Sequence, residues 1–356
     1  MRGLETFLAL GALLPLPIAT ALPSYPSSNP SYLQWELKPT NSTQQFRGLS
    51  PVSERTVWIS GTNGTVLRTT NGGSSWSNVS PPLLPENSTA FQFRDIEAFS
   101  EKSAVILSIG EGNASRIYQT LNGGKSWKAT FVNAEATAFY DCMAFENTKH
   151  GLAMSDPVAG TFRLIETWDG GATWKLVDAS GMPAALAGEF GFAASGTCIE
   201  AAAGRWYIAS GGVDPGRVFR SEDGHHWNVS NTTITGGAAA GVFSARFKDE
   251  QNGIAVGGDY EKPAGNLNTA AWSKDGGKSW HSAESFPAGY RSGVSWVPQR
   301  DHIAVAVGTS GSDITYDGGK NWQVIGNSTF DAVECISKRI CWASGAGGRV
   351  ARLKLH

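Results

Sequence analysis

The segment Trp168-Asp-Gly-Gly-Ala-Thr-Trp174 is one of six similar segments that recur along the chain. The other five share its acid or amide, its glycine and its closing tryptophan: Thr70-Asn-Gly-Gly-Ser-Ser-Trp76, Leu121-Asn-Gly-Gly-Lys-Ser-Trp127, Glu222-Asp-Gly-His-His-Trp227, Lys274-Asp-Gly-Gly-Lys-Ser-Trp280 and Tyr316-Asp-Gly-Gly-Lys-Asn-Trp322. Their closing tryptophans follow one another at intervals of 42 to 53 residues. A repeat of roughly 40 to 50 residues is typical of one four-stranded blade of a β-propeller.

The composition of each segment favours a tight turn. A short acidic or amide side chain accepts hydrogen bonds from backbone N–H groups of its own turn, and glycine tolerates positive φ angles. The tryptophan then packs in apolar space beside the hairpin. These segments are identified as Asp boxes, on the hairpins that join the third and fourth strands of the blades. We therefore interpret Asp169, Asp223, Asp275 and Asp317 as turn-forming residues rather than catalytic carboxylates.

A second repeat precedes the boxes and occurs seven times. It consists of an alternating strand, a turn and another strand that ends in glycine, as in Trp58-Ile-Ser-Gly61. The inner strands begin at Phe46-Arg47, Phe93-Arg94, Phe139-Tyr140, Ala193-Ala194, Gly241-Val242, Tyr290-Arg291 and Phe330-Asp331. The seventh has no box after it, whereas Leu33-Gln-Trp35-Glu-Leu37 resembles a post-box strand without a blade. We predict an all-β fold, a seven-bladed β-propeller over residues 32–356, closed by the N-terminal strand joining blade seven.

The first residues are typical of a secretory signal peptide. Arg2 precedes an apolar run from Leu8 to Ile18, and Ala19-Thr20-Ala21 has the small residues of a cleavage site. We predict a signal peptide at residues 1–21 and a linker at residues 22–31. The run is shorter than the roughly 20 residues that cross a bilayer, so we expect a secreted, extracellular protein with no membrane span.

Sequons and cysteines agree with export. The predicted glycosylation sites are Asn41, Asn63, Asn78, Asn87, Asn113, Asn228, Asn231 and Asn327. Cys335 and Cys341 flank a short turn and could form a disulfide across a hairpin. Cys142 and Cys198 either pair with each other or remain buried thiols.

The rest of the composition argues against several classes of function. The chain has 29 basic and 31 acidic residues, so it lacks the basic excess that a nucleic-acid partner would require. It has no CxxC pair and no histidine cluster beside its cysteines, and we predict no metal site. It has no GxSxG segment and no Rossmann βαβ unit, and we predict no cofactor.

Aligning the seven inner strands places one residue of each blade at the rim of the central channel. In blade order these residues are Arg47, Arg94, Tyr140, Ala194, Val242, Arg291 and Asp331. Around the ring, blades six, seven, one, two and three would form a polar crescent with three arginines. Arginine offers a planar set of donors suited to carboxylate, sulfate or phosphate. We predict ligand binding by Arg47, Arg94, Tyr140, Tyr290, Arg291 and Asp331; the alternative is that the arginines pair with acids and seal the channel.

Acidic residues in the loops of the same face are the candidates for catalysis. Cleavage of a glycoside uses an acid and a base on opposite sides of the sugar. The candidate catalytic residues are Glu189, Asp156, Asp259 and Asp331. The simpler interpretation of each is an ordinary solvated loop residue.

The mature chain resembles the photosystem II assembly-factor family of Asp-box propellers, in a secreted branch. The matching stretches are Phe46-Arg-Gly-Leu-Ser50, Thr62-Asn-Gly-Thr-Val66, Met154-Ser-Asp-Pro157, Ala255-Val-Gly-Gly-Asp259, Gly289-Tyr-Arg-Ser-Gly293 and Val307-Gly-Thr-Ser-Gly-Ser312. This resemblance implies a non-catalytic assembly scaffold with an arginine-rich face. We expect the first residues of this chain to act as an export signal rather than as a plastid-type transit peptide.

The boxes and the ring also resemble, more loosely, the sialidase-type and sortilin-type propellers. The sialidase resemblance implies an arginine triad that grips a carboxylate, which Arg47, Arg94 and Arg291 would mimic. The Arg-Ile-Pro motif of that family is missing, since Arg94 is followed by Asp95-Ile96. The sortilin resemblance implies ligand binding without catalysis.

Two functions follow from these patterns. We expect a secreted propeller that recognises an acidic saccharide at the channel mouth. Whether it also cleaves the saccharide, as a glycoside hydrolase or a polysaccharide lyase, stays open at this point. The alternative is a non-catalytic interaction or assembly module that binds an extracellular protein through the same arginine-rich face. Fold alone does not choose between them, because propellers serve both roles.

Overall fold

The repeat predicted from the sequence is present as seven four-stranded antiparallel sheets in the computed structural model, which describes residues 33–82 and 91–356. The inner strands of successive sheets contact one another in turn and close a ring, so the seven-bladed propeller is confirmed. The predicted signal peptide, the linker and Asn87 lie outside the described residues. Within the two described ranges, no helix is long and apolar enough to cross a membrane.

Each blade runs from an inner strand to an outer strand. Blade 1 contains β2 (Phe46–Pro51), β3 (Val57–Gly61), β4 (Val66–Thr69) and β5 (Ser77–Asn78). Blade 2 contains β6 (Gln92–Ala98), β7 (Ala104–Ile109), β8 (Arg116–Thr120) and β9 (Lys128–Val132). Blade 3 contains β10 (Tyr140–Phe145), β11 (Gly151–Val158), β12 (Thr161–Thr167) and β13 (Lys175–Leu176). Blade 4 contains β14 (Ile199–Ala202), β15 (Arg205–Ser210), β16 (Arg217–Ser221) and β17 (Trp227–Asn231).

The remaining blades follow the same order. Blade 5 contains β18 (Ala240–Phe247), β19 (Gly253–Asp259), β20 (Ala270–Ser273) and β21 (His281–Ser282). Blade 6 contains β22 (Gly293–Trp296), β23 (Ala304–Gly308), β24 (Gly311–Thr315) and β25 (Trp322–Gly326). Blade 7 contains β26 (Ala332–Ser337), β27 (Ile340–Ser344), β28 (Val350–Lys354) and the N-terminal β1 (Trp35–Leu37). Among the described residues, two short 3-10 helices, Gly112–Ala114 and Ala179–Gly181, lie in the connections.

The N-terminal strand closes the ring as predicted. β1 pairs antiparallel with β28, with Trp35 opposite Leu353. The indole N–H of Trp35 donates to the Ser312 hydroxyl at 3.1 Å, and its ring lies 4.9 Å from that of Phe330. Closure covers the edge that β28 would otherwise expose.

The Asp boxes form the turns that the sequence predicts. In the third box, Asp169 accepts a hydrogen bond from the backbone N–H of Thr173 at 2.9 Å, and Gly170 and Gly171 have φ angles of 73° and 84°. Burial raises the pKa of Asp169, but the hydrogen bonds it accepts outweigh that effect and the net pKa is lowered. Asn71 makes the equivalent contact to Ser75 at 3.0 Å in the first box. The substitution of Asp by Asn therefore leaves the turn intact.

The hydrophobic core lies between adjacent blades. The tryptophans of the first two boxes pack edge-to-face on a tryptophan of the preceding blade, Trp127 on Trp58 and Trp76 on Trp342. β7 and β27 are buried along their whole length, because both faces of each blade are covered by its neighbours. The stacking of blades thus provides the burial that no single blade could supply.

Two disulfides are present among the described residues. Cys335 and Cys341 pair across the hairpin of β26 and β27, with their Cα atoms 3.8 Å apart. Cys142 and Cys198 also pair, with their Cα atoms 6.0 Å apart, and they join β10 of blade 3 to the residue before β14 of blade 4. The first pairing was expected, and the second decides between the two alternatives left open by the sequence.

Candidate binding site at the channel mouth

A cavity of about 540 Å³ opens at the mouth of the channel, on the face opposite the Asp-box turns. Its walls contain three kinds of side chain. Two arginines lie with Asp331 on one side, two carboxyl groups lie next to them, and aromatic rings form the remaining wall. A cavity of this size falls within the range of small-ligand and peptide pockets.

Four of the lining residues occupy the same structural position in their blades. Arg47, Arg94, Asp141 and Phe243 are each the extra residue at which the pairing between the inner and the second strand shifts register. A bulge of this kind re-aims a side chain relative to the regular sheet. The repeated bulge therefore presents one variable residue per blade to the cavity.

In blades 3 and 5 the residue predicted at the channel rim is wrong by one position, because of the bulge. Tyr140 does not line the cavity; it is buried in the core with its ring 5.3 Å from that of Phe131, and Asp141 takes the predicted place. Val242 is likewise a core residue, and its neighbour Phe243 lines the cavity instead. Successive side chains of a strand point to opposite faces, so an error of one residue exchanges core and cavity.

Arg47 and Arg94 both line the cavity and are half-buried. Both guanidinium groups donate to the carbonyl oxygen of Ala193, at 3.4 and 3.1 Å. Arg47 also lies 3.6 Å from Asp331, whose carboxylate accepts hydrogen bonds from Gln45 at 3.0 and 3.2 Å. Burial, and next the charge of Arg47, lowers the pKa of Arg94 to about 10, which still leaves it protonated at neutral pH.

Arg291 does not complete the predicted crescent. Its side chain is fully buried, forms an ion pair with Asp313, and donates to the carbonyl oxygen of Tyr290 at 2.7 Å and the hydroxyl of Ser310 at 2.8 Å. Its predicted neighbour Tyr290 does line the cavity. The alternative that an arginine pairs with an acid and seals the channel therefore applies to Arg291, whereas Arg47 and Arg94 remain accessible from the cavity.

Asp141 and Asp156 form a pair of neighbouring carboxyl groups in the cavity wall. Asp156 accepts a hydrogen bond from the backbone N–H of Gly191 at 2.8 Å, and burial raises its pKa to about 6. Burial, with the adjacent charge of Asp156, raises the pKa of Asp141 well above its ordinary value. The sequence pointed to Asp156 but not to Asp141, because the bulge at Asp141 has no local sequence signal.

Only two of the four candidate catalytic residues line the cavity. Asp156 and Asp331 line the cavity, but Glu189 and Asp259 do not. Glu189 is buried in an ion pair with Arg217 and also accepts from the Ser210 hydroxyl at 2.6 Å. Asp259 lies outside the lining and binds Lys262 at 3.2 Å. Two of the four candidates therefore have structural contacts away from the cavity.

An aromatic wall, absent from the sequence prediction, faces the charged side of the cavity. Phe192 stacks on Phe243 with ring centroids 3.7 Å apart, and Phe243 meets Tyr290 edge-to-face at 4.7 Å. Phe190 and Tyr260 extend the wall toward the surface. These rings come from three blades and from loops of unequal length, so no repeat in the sequence aligns them.

A segment of blade 4 crosses the channel below the cavity. This channel segment, residues 193–197, replaces a regular start of the inner strand, and β14 begins only at Ile199. Ala193 accepts the hydrogen bonds of both cavity arginines, the Ser195 hydroxyl donates to the carbonyl of Ser292 at 2.7 Å, and Thr197 donates to the Ser244 hydroxyl at 2.8 Å. The segment forms the floor that holds the arginines in place.

No group of three or more potential metal ligands occurs in the parts of the chain that the structure describes. The side chains that line the channel mouth offer two cationic donors, three carboxyl groups and an apolar wall. Such a set can bind a ligand that carries an acidic group next to an apolar one.

Comparison with known proteins agrees with this architecture. No model of a protein family matches the chain. The photosystem II assembly lipoprotein Ycf48 of Synechococcus sp. (strain CC9902) is 27% identical over 230 residues, which span 63% of this chain and 58% of that relative. The predicted resemblance to the photosystem II assembly factors is confirmed. The alignment leaves about two fifths of that Ycf48 chain unmatched.

Solved structures show the same fold. A structure described as YCF48 bound to D1 peptide has a TM-score of 0.62 and 16% identity, covering 90% of this chain and 97% of that one. YCF48 from Cyanidioschyzon merolae has a TM-score of 0.62 and 14% identity, with coverages of 90% and 98%. The GH74 enzyme of Niastella koreensis has a TM-score of 0.61 and 14% identity, covering 88% of this chain and 53% of that enzyme. At these identities the similarity concerns the fold alone.

Proposed function

We propose that this protein is a binding module that holds a polypeptide segment with an acidic group in the channel-mouth cavity. The observation that carries the proposal is the pair Arg47 and Arg94, which share one backbone acceptor and both line the cavity. Half-buried arginines in a cavity wall favour a carboxylate ligand. The aromatic wall opposite them supplies apolar contact area for a neighbouring side chain.

We favour a protein-interaction module over a propeller that recognises an acidic saccharide. A propeller of the same fold, YCF48, is described with a bound D1 peptide, which supports a polypeptide ligand for this shape of protein. Cleavage of a saccharide has less support, because Glu189 and Asp259 lie outside the cavity and Asp331 is occupied by Gln45 and Arg47. Acidic oligosaccharides remain the comparison ligands in the test.

The test is a selection of random decapeptides on the purified full chain, followed by affinity measurements on those enriched. We expect enrichment of acidic peptides that also contain aromatic or aliphatic residues, and a loss of binding of at least ten-fold in Arg47→Ala/Arg94→Ala. The matched control is Arg55→Ala/Arg339→Ala, which removes two exposed arginines from turns on the opposite face. The proposal fails if no peptide is enriched while a uronate or sialyl oligosaccharide binds, or if the control pair weakens binding equally.

We also propose that the protein is exported and glycosylated. The seven sequon asparagines in the described residues are all exposed: Asn41, Asn63, Asn78, Asn113, Asn228, Asn231 and Asn327. Two disulfides are compatible with an oxidising compartment. Expression of the full chain in eukaryotic cells should give protein in the medium whose mass falls on treatment with an N-glycosidase; unmodified protein retained inside the cells would contradict this.

A further inference from the structure

The cavity holds opposite charges that do not satisfy each other. Among the described residues, Arg94 has no carboxylate within 4.0 Å, and Arg47 reaches only Asp331. Asp141 is 2% exposed, lines the cavity, and its Oδ2 atom accepts no hydrogen bond from any described residue. A buried polar atom without a partner is unusual in a folded protein and calls for a donor.

The separation of these charges is built into the backbone. The channel segment holds both arginines through the carbonyl of Ala193, so they do not turn toward Asp141. On the other side, the N–H of Gly191 fixes Asp156, and the position of Gly191 leaves no room for a side chain. A Cβ atom there would come within 2.7 Å of Met154 and 3.2 Å of the Oδ2 atom of Asp141. Neither carboxyl group forms an ion pair with a described residue; burial and the contact with Asp156 raise the pKa of Asp141, so the two groups share a proton and face the cavity.

We propose that Asp141 and Asp156 form a subsite for a primary ammonium group of the bound segment. The ligand would then be zwitterionic, with its acidic group at Arg47 and Arg94, its ammonium at the carboxyl pair and an apolar side chain on the aromatic wall. This inference rests on the proposed function and adds to it the charge of a second group in the ligand. Complementary charges of this kind favour specificity over nonspecific attraction of acids.

A cationic group suits the carboxyl pair better than a neutral donor. A ligand that enters the cavity excludes water from Asp141, which then has only the carboxyl group of Asp156 as a hydrogen-bond partner. Burial and the contact with Asp156 raise the pKa of Asp141, so the pair retains one proton and one negative charge, which a single ammonium with three donors can balance while bridging both groups. The carboxylate of the same ligand, together with Asp331, balances the two arginines.

The test uses synthetic octapeptides with one aspartate and one phenylalanine, in which a lysine is moved through the other positions. Each peptide is paired with its norleucine analogue, which keeps the side-chain length and lacks the ammonium, and each is made with a free and with an acetylated N-terminus. We expect one lysine position, or the free N-terminus, to improve affinity for the wild-type chain about ten-fold. The free and acetylated forms show which amine is bound.

Substitutions assign this gain to the carboxyl pair. In Asp141→Asn/Asp156→Asn the ammonium should no longer improve affinity, while the dependence on Arg47 and Arg94 persists. Asp259→Asn, outside the cavity, is the control and should retain the gain; melting curves confirm that each variant is folded. Equal binding of lysine and norleucine peptides to the wild type, with no difference between free and acetylated N-termini, overturns the ammonium subsite alone. Binding that is also unaffected by Arg47→Ala/Arg94→Ala overturns the proposed function as well.

Discussion

Arg94 and Asp141 occupy the same position in neighbouring blades, as the extra residue of the bulge in β6 and in β10. Arg47 has this position in blade 1 and Phe243 has it in blade 5. The chemistry of the cavity is thus set largely by one residue per blade, on a backbone that repeats. Substitutions at these positions are expected to change the ligand without changing the fold.

Replacing Arg94 by Gln should weaken peptide binding without reducing stability. Among the described residues Arg94 makes one hydrogen bond, to Ala193 at 3.1 Å, and burial opposes its charge. Losing a charge-assisted contact to the ligand costs about 1.5–3 kcal/mol, which is at least ten-fold in affinity. Fluorescence anisotropy with a selected peptide and a thermal melt check the two effects. A lower melting temperature with unchanged affinity would instead identify Arg94 as part of a structural plug.

The stability of the chain should depend on the ionisation of Asp156. Its pKa of about 6 exceeds the ordinary value of 3.8, so the folded state binds more protons than the unfolded state between these values. Stability contributed by this group is therefore present at low pH and declines as the pH rises from about 4 to 6. The carboxyl group of Asp141 lies next to Asp156, and the charge of Arg94 acts on Asp141.

Asp156→Asn should remove that decline. Relative to the wild type, the variant should gain more stability at pH 7 than at pH 4, as measured by chemical denaturation at both values. Asp259→Asn, which removes a carboxylate outside the cavity, serves as the comparison. A difference between Asp156→Asn and wild type that stays constant with pH would show that Asp156 does not titrate in this window.

The two disulfides should contribute unequally to stability. Cys142 and Cys198 are 56 residues apart in sequence, and Cys335 and Cys341 only 6. By loop-closure entropy the first bridge stabilises by about 4 kcal/mol and the second by about 2.5 kcal/mol. Cys142→Ser/Cys198→Ser should therefore melt at a lower temperature than Cys335→Ser/Cys341→Ser. It should also bind peptide more weakly, because Cys142 follows Asp141 and Cys198 follows the channel segment; equal binding by both variants would argue against that link.

Trp35→Ala should destabilise the whole ring. Trp35 is 7% exposed, packs on Phe330 and bonds to Ser312 from a strand of only three residues. Truncating a buried tryptophan costs about 3–5 kcal/mol. Leu37→Ala on the same strand is the control, since Leu37 is 60% exposed and should cost less than about 0.5 kcal/mol. Similar unfolding curves for the two variants would mean that β1 does not hold the ring closed.

Part of the site was accessible from the sequence. Arg47, Arg94, Tyr290 and Asp331 were predicted at the channel mouth and line the cavity, because each adjoins an inner strand whose start the repeat fixes. Asp141 was missed, since a bulge shifts the register by one residue and leaves no mark in a repeat alignment. The aromatic wall was missed for a related reason: its rings come from different loops and blades.

The sequence by itself determined the local turn chemistry of six Asp boxes, the number of blades and the closing strand at Trp35, because these depend on short-range patterns and their spacing. The tertiary structure alone decided which arginines are available to a ligand. Arg47 lies at the start of an inner strand and Arg291 just before one. Yet Arg291 is paired with Asp313 from another part of its blade, whereas Arg47 donates to Ala193 from across the channel. The partner of a charged side chain is set by packing between segments distant in sequence, and no local pattern encodes it.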